Sequence, residues 1–180
     1  MGKRLALGTV LAACLLAFLT SPASAATLTH RDTAEKTLVA RINEVRKNHG
    51  LRPLRGVSRL TQAATRHAGS MGSASYFRHE LFTPSRPIDW TDFGTWIRWF
   101  YPGPGYTSWS AGENLAWGAP DLTARQAVRR WLDSPGHRAN LLHAGWRHVG
   151  VSVVHVRNPD GYYSSWSDVT IVVADFGRRS

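Results

Sequence analysis

Two histidines and one glutamate, far apart in the chain, sit in local surroundings that hold a side chain in a fixed direction. His79 in "SYFRHE" lies just beyond a helix-like run and behind two aromatics, and His137 in "DSPGHRAN" follows at once on a Ser-Pro-Gly breaker. Glu113 stands in "SAGENLAWG", where Gly112 permits close backbone approach and Asn114 can tie the chain together. Two imidazoles and a carboxylate are the donor types of a facial metal site with water in the open position. The same three groups also suit a hydrogen-bonded structural cluster, and residue types alone leave both readings open.

Other histidines have less to recommend them. His30 and His49 fall at element ends, His67 lies on the inner stripe of a helix as a hydrogen-bonded core histidine would, and His143, His148 and His155 belong to the strand region. "HELF" lacks the second histidine of H-E-x-x-H, and "AGSMG" around Ser70 lies in a helical run rather than at the strand-to-helix turn of a nucleophile elbow. Phosphate loops and dinucleotide fingerprints are absent.

The elements that must position these residues can be read from periodicity. "DTAEKTLVARINEVRKNHG" repeats Leu38, Ile42 and Val45 at helical spacing, with Asp32 and Glu35 in capping-box positions and Gly50 as the stop. A second helix, with Ser58 as its expected cap, has an inner stripe of Leu60, Ala63, Ala64, His67, Ala68 and Met71, whose small residues call for close packing. A third opens at "DLTARQ" with Thr123 and Gln126 as a capping box, buries Ala127, Val128, Trp131 and Leu132, and ends at Pro135. "HVGVSVVHV" and "WSDVTIVVADF" read as paired strands joined through "NPDG", with a shorter strand at "ENLAWG". Helices first and strands last give an α+β class, with helices packed on an antiparallel sheet.

Residues 84–109 form a Trp-rich insert. Trp90, Phe93, Ile97 and Phe100 could share one face of a short helix, flanked by Trp96 and Trp99. Such a segment serves either as a hydrophobic lid or as an aromatic platform for a sugar ring or lipid.

The N-terminus has Lys3 and Arg4, then a short apolar run, then small residues at Ala23 and Ala25. This is the pattern of a secretory leader cleaved after Ala25, leaving residues 26–180 as a single domain that is secreted to the extracellular side. The competing lipoprotein reading acylates Cys14, but the apolar run continues past that cysteine. With Cys14 removed, the mature chain has no thiol for a disulfide or a thiolate metal site. No second apolar run is long enough to cross a membrane. Lys and Arg number 22 against 12 acidic residues, and 19 of the 22 are arginine. They are scattered along the sequence, which fits compositional bias better than a specific anionic ligand, so no specific nucleic acid partner is expected.

Taken in order, "INEVRKNHGLRPL", "LTQAATRHAGSM", "YFRHE", "AGENLAWG", "AVRRWLDSPGHRANLL", "HVGVSVV" and "VVADFG" resemble the bacterial secreted branch of the CAP superfamily, that of cysteine-rich secretory proteins, antigen 5 and pathogenesis-related proteins (SCP-like domains). The resemblance covers nearly all of residues 36–177. It implies a three-layer α-β-α sandwich with a central antiparallel sheet, and a cleft holding two histidines and two acidic residues that in some members bind a divalent metal, often zinc. Carried over, His79 and His137 are the histidines and Glu113 the glutamate of the G-E-N motif. At the fourth position the sequence departs from the pattern, and either Asp133 substitutes or the site has only three members. Three functions follow: an extracellular binding module for a lipid, glycan or cell-wall component; a metal-dependent hydrolase in which His79 and His137 hold zinc and Glu113 ligates it or acts as general base; or a structural domain with a vestigial cleft. The ligand and the oligomeric state are left open.

Overall fold

The computed structural model describes residues 25–83 and 90–180. All of the expected leader but Ala25, the alternative at Cys14 and the first part of the Trp-rich insert, residues 84–89, lie outside the described residues. In chain order the elements are β1 (Thr27–His30), α1 (Asp32–Asn48), β2 (Arg55–Gly56), α2 (Ser58–Ser73), β3 (Leu81–Phe82), β4 (Trp90–Thr91), α3 (Phe93–Trp96), β5 (Trp109–Gly118), α4 (Ala124–Asp133), α5 (Pro135–Leu141), β6 (His148–Arg157) and β7 (Asp168–Arg179).

The main sheet has the order β1-β6-β7-β5, antiparallel throughout, with β2 added in parallel to β6. Alternation along its strands makes two cores. Val149, Val151, Val153, Val172, Ala174 and Phe176 face α1, α4 and α5, while Val154, Val156, Ile171 and Val173 face Ala64, Ala68 and Met71 of α2. This is the α-β-α sandwich that the resemblance implies. Its consequence for the site is that β5, at the end of the sheet, has one free edge.

That edge is blunted by donors from α4. The indole Nε1–H of Trp131 donates to the Leu115 carbonyl at 2.9 Å, and Arg130 donates to the Trp117 carbonyl. Unpaired strand carbonyls invite another chain, and these two contacts cap them from within.

Close packing of α2 depends on Gly150. A Cβ there would lie 2.0 Å from the carbonyl carbon of Leu60, which is backbone and cannot move aside. On the opposite face of the sheet, a Cβ at Gly112 would meet Asn140 Oδ1 at 2.4 Å, so the close approach expected at Gly112 is made against α5.

Helix ends agree with the sequence in part. Thr123 and Gln126 form the full capping box at α4. Asp32 and Ser58 do not cap: each is the first residue of its helix, after Arg31 and Val57. Glu35 instead reaches across to the sheet, where its carboxylate accepts the Val153 N–H at 3.0 Å. Pro135 ends α4 and also opens α5, since at the first helical position its missing N–H costs nothing. The buried Arg46 of α1 completes α5 from below, donating to the Leu141 carbonyl at 2.8 Å and the His143 carbonyl at 3.2 Å.

In the Trp-rich insert the expected face is rotated. After the single turn of α3 the chain tightens into a 3-10 turn over Ile97–Trp99, whose period of three residues does not continue an α-helical stripe. Among the described residues of the insert Trp96, Ile97 and Tyr101 are buried, whereas Trp99 is 52% exposed and Trp90 lies at the surface.

A Gly150→Ala substitution must push α2 off the sheet. It should cost about 1–3 kcal/mol, a loss of several degrees in a thermal melt followed by circular dichroism. A melt unchanged from wild type would contradict the packing described.

Candidate functional site

The site is built around Glu113 on β5. Its carboxylate points to the α2 face and accepts from two imidazoles, from His67 Nδ1 to Oε2 at 2.6 Å and from His79 Nδ1 to Oε1 at 2.7 Å. Glu113 and His67 side chains are buried, while that of His79 is 50% exposed. A carboxylate has about four acceptor positions, so it can serve both rings at once.

Each member is held by a different element. His67 comes from the inner stripe of α2, where Gly150 allows the helix close enough for the ring to reach Glu113. Its ring packs 4.9 Å from that of Trp96, and its Nε2 is buried without a hydrogen bond among the described residues. Trp96 also donates its Nε1–H to the His79 carbonyl at 3.1 Å, so it braces both histidines. Trp96 is therefore a wall of the site, and being fully buried it cannot be half of an exposed platform with Trp99.

His137 arrives from the other side of the sheet. Next to Glu113, Asn114 points to the α5 face, where its Nδ2 donates to the His137 carbonyl at 2.9 Å and its Oδ1 accepts from Asn140 at 3.0 Å. Trp146 Nε1–H donates to the Asn140 carbonyl at 2.9 Å. Alternation in one strand thus lets neighbouring residues hold the two halves of the cleft, which meet around the free edge of β5. The His79 and His137 ring centroids lie 6.5 Å apart. Beside His137 runs a groove of about 300 Å³ lined also by Phe77, Trp117, Arg130 and Ser134. A larger cavity, about 640 Å³, lies between the start of α1 and residues 121–124 and contains none of these groups.

Asp133 does not join them. At the last turn of α4 its side chain is 72% exposed and pairs with Arg129 at 3.8 Å, because that turn presents it to solvent while Trp131 faces inward. A second acidic residue is present, but it is Asp175. It faces Glu113 directly across the β5–β7 ladder and is completely buried, and neither oxygen has a hydrogen-bond partner among the described residues. Burial, together with the Glu113 carboxylate beside it, pushes its carboxyl well above the usual range. Sequence reasoning missed both Asp175 and His67. The available signals were an acid on the inward side of an apolar strand and a histidine among small residues on a buried stripe.

The two cleft histidines are driven apart electrostatically. The hydrogen bond to Glu113 raises the pKa of His79 against the opposing effect of burial, whereas burial and the nearby His79 lower that of His137. Among the described residues no group of three His, Cys, Asp or Glu side chains could hold a metal ion. Glu113 is poorly placed as a third ligand, since its side chain is buried with an imidazole on each oxygen. What fits a divalent ion is a pair of imidazole donors. The His79 Nδ1–H is oriented by a carboxylate, as in metal-ligating histidines, and the His137 ring makes no hydrogen bond among the described residues.

Residues 39–176 match the model of the CAP family, described as the cysteine-rich secretory protein family. Over 121 residues the chain is 32% identical to the protein YkwD of Bacillus subtilis (strain 168), covering 67% of this chain and 42% of that one. It is 29% identical over 134 residues to the membrane protein YlbC of the same organism, covering 74% and 35%. The chain thus spans less than half the length of these curated relatives. An outer surface protein of Borrelia burgdorferi superposes with a TM-score of 0.65 at 22% identity, covering 86% of this chain and 100% of that one. An extracellular protein with an SCP domain from Bacillus anthracis str. Ames superposes with a TM-score of 0.59 at 24% identity, covering 82% and 41%. These two likenesses concern the fold.

Two titrations check the cluster. Because the folded pKa of His79 is raised, its pairing with Glu113 stabilises the protein fully below about pH 6.5 and is lost as pH rises through the folded value. In Glu113→Gln, His79 should titrate at lower pH by NMR; an unchanged midpoint would contradict the pairing. Asp175 also takes up a proton on folding, so its contribution too is lost as pH rises from about 3.9 through its raised folded value. Asp175→Asn, which cannot ionise, should melt above wild type at about pH 9, with the difference shrinking towards about pH 5. A variant melting lower at both would contradict the buried acid.

Proposed function

For this chain, which belongs to the CAP family of cysteine-rich secretory proteins, we propose the role of an extracellular binding module whose His79–His137 cleft takes a divalent cation, zinc being the natural probe, beside a cell-wall or surface ligand. The carrying observation is the Nδ1–H of His79 donated to Glu113, which leaves Nε2, on a half-exposed ring, as the ligating nitrogen. Two imidazoles with water in the remaining positions make an open and modest site. A bound ion would supply a positive charge and a polarised water at the mouth of the groove.

Extracellular placement is supported by the leader-like N-terminus and by the fold neighbours described as extracellular or outer surface proteins. Among the described residues no helix is long and apolar enough to cross a membrane. Hydrolysis has less support. It would require Glu113 to ligate the ion or take a proton from its water, and that carboxylate is buried with both oxygens already accepting.

Isothermal titration with zinc tests the reading. Wild type should bind one ion at about pH 7.5 and bind it more weakly at about pH 5.5, where His79 holds a proton on the ligating ring. His79→Ala and His137→Ala should each abolish binding, and Glu113→Gln should weaken it by about 10- to 100-fold. No binding by wild type, or binding unchanged in both alanine variants, would overturn it.

A further inference from the structure

The aromatic platform sought at Trp96 and Trp99 has a better candidate elsewhere on the molecule. Tyr162 and Trp166, on the connection between β6 and β7, are 53% and 41% exposed. Both pack against Trp117 of β5, with ring centroids at 5.9 Å for Tyr162 and 4.8 Å for Trp166. Phe77 stacks on Tyr162 at 6.4 Å. Phe77 and Trp117 also line the groove that holds His137, so exposed rings and cleft form one continuous surface.

The rings are held outward by a fastened turn. Tyr162 N–H donates to the Ser75 carbonyl at 3.2 Å, Trp166 N–H to the Tyr163 carbonyl at 3.0 Å, and the buried Tyr163 hydroxyl to the Tyr76 carbonyl at 2.8 Å. The Ser75 hydroxyl donates to the Asp160 carbonyl from the other side. Large rings fixed at the surface by backbone hydrogen bonds are preorganised, which removes an ordering cost from whatever they bind. Contiguous exposed apolar patches are where proteins commonly bind partners and ligands.

We propose that Phe77, Trp117, Tyr162 and Trp166, with the adjoining His137 groove, form a binding site for a polysaccharide chain. Trp117 stands at 70° to Trp166 and 77° to Tyr162, so the ring planes step from one to the next across the cluster. Successive sugars, each with a C–H face for a ring and hydroxyls at its edge, fit such steps. Polar groups are placed for those hydroxyls: Arg130, Ser134 and His137 line the groove beside the apolar residues. An acyl chain would offer no acceptors or donors to Arg130, Ser134 and His137, which line the groove. The site supplies the ligand class for the binding module proposed above and rests on that reading.

The test is a titration of the protein with the β-1,4-linked tetramer of N-acetylglucosamine, followed by tryptophan fluorescence and carried out in EDTA. Wild type should show a saturable change. Tyr162→Ala and Trp166→Ala should each weaken binding by about tenfold while keeping the wild-type circular dichroism spectrum and zinc titration, and the milder Trp166→Phe should recover part of the affinity. No saturable change with the tetramer, or unchanged affinity in both alanine variants, would overturn the proposal. So would a response confined to phosphatidylglycerol vesicles or to a single-stranded oligonucleotide. Since EDTA removes divalent ions, saccharide binding by a chain that fails the zinc titration would overturn the cation reading alone.

Discussion

One carboxylate accepting from two histidines organises this molecule. Glu113 is buried, and a buried carboxylate without partners would cost several kcal/mol. The Nδ1–H groups of His67 and His79 supply those partners, and much of the surrounding architecture serves to bring them there. Gly150 lets α2 lie close enough for His67, Trp96 anchors the backbone of His79, and Asp175 across the ladder is held as an acid facing Glu113. The Trp-rich insert, whatever else it does, is required here as a wall.

The second constraint is the position of β5 at the end of the sheet. Consecutive strand residues point to opposite faces, so Glu113 and Asn114 address different helical layers. Glu113 fixes His79 on one face, Asn114 fixes the turn of His137 on the other, and the free edge between them becomes the cleft. The G-E-N sequence is thus explained residue by residue: the glycine admits Asn140 and Trp146, the acid holds the histidines, and the amide ties down α5. The same edge leads from His137 past Phe77 and Trp117 to the exposed rings beyond.

Much of this was legible from residue order, and the failures have physical causes. The stripe Leu60, Ala63, Ala64, His67, Ala68 and Met71 is buried throughout, and the valine-rich segments pair as expected. His67 was read as a core histidine with a hydrogen bond. It has one, but periodicity cannot show that its acceptor is Glu113, contributed by a strand 46 residues away. Asp133 looked suitable by nearness to His137 in sequence, yet Ser134 and Pro135 break the chain between them and leave Asp133 in solvent. Asp175 sits in an apolar run where alternation places it inward, and only the cross-strand register reveals its partner. At α1 the cap pattern was outcompeted by the sheet, which claimed Glu35 for the Val153 N–H.

The shared acceptor can be observed directly. Nitrogen-15 spectra of the folded protein with labelled histidines report which ring nitrogen carries hydrogen at neutral pH. If Glu113 receives both rings, His67 and His79 each carry hydrogen on Nδ1, with correlations that change in Glu113→Gln. Hydrogen on Nε2 alone in either ring would contradict the arrangement on which the rest of the site depends.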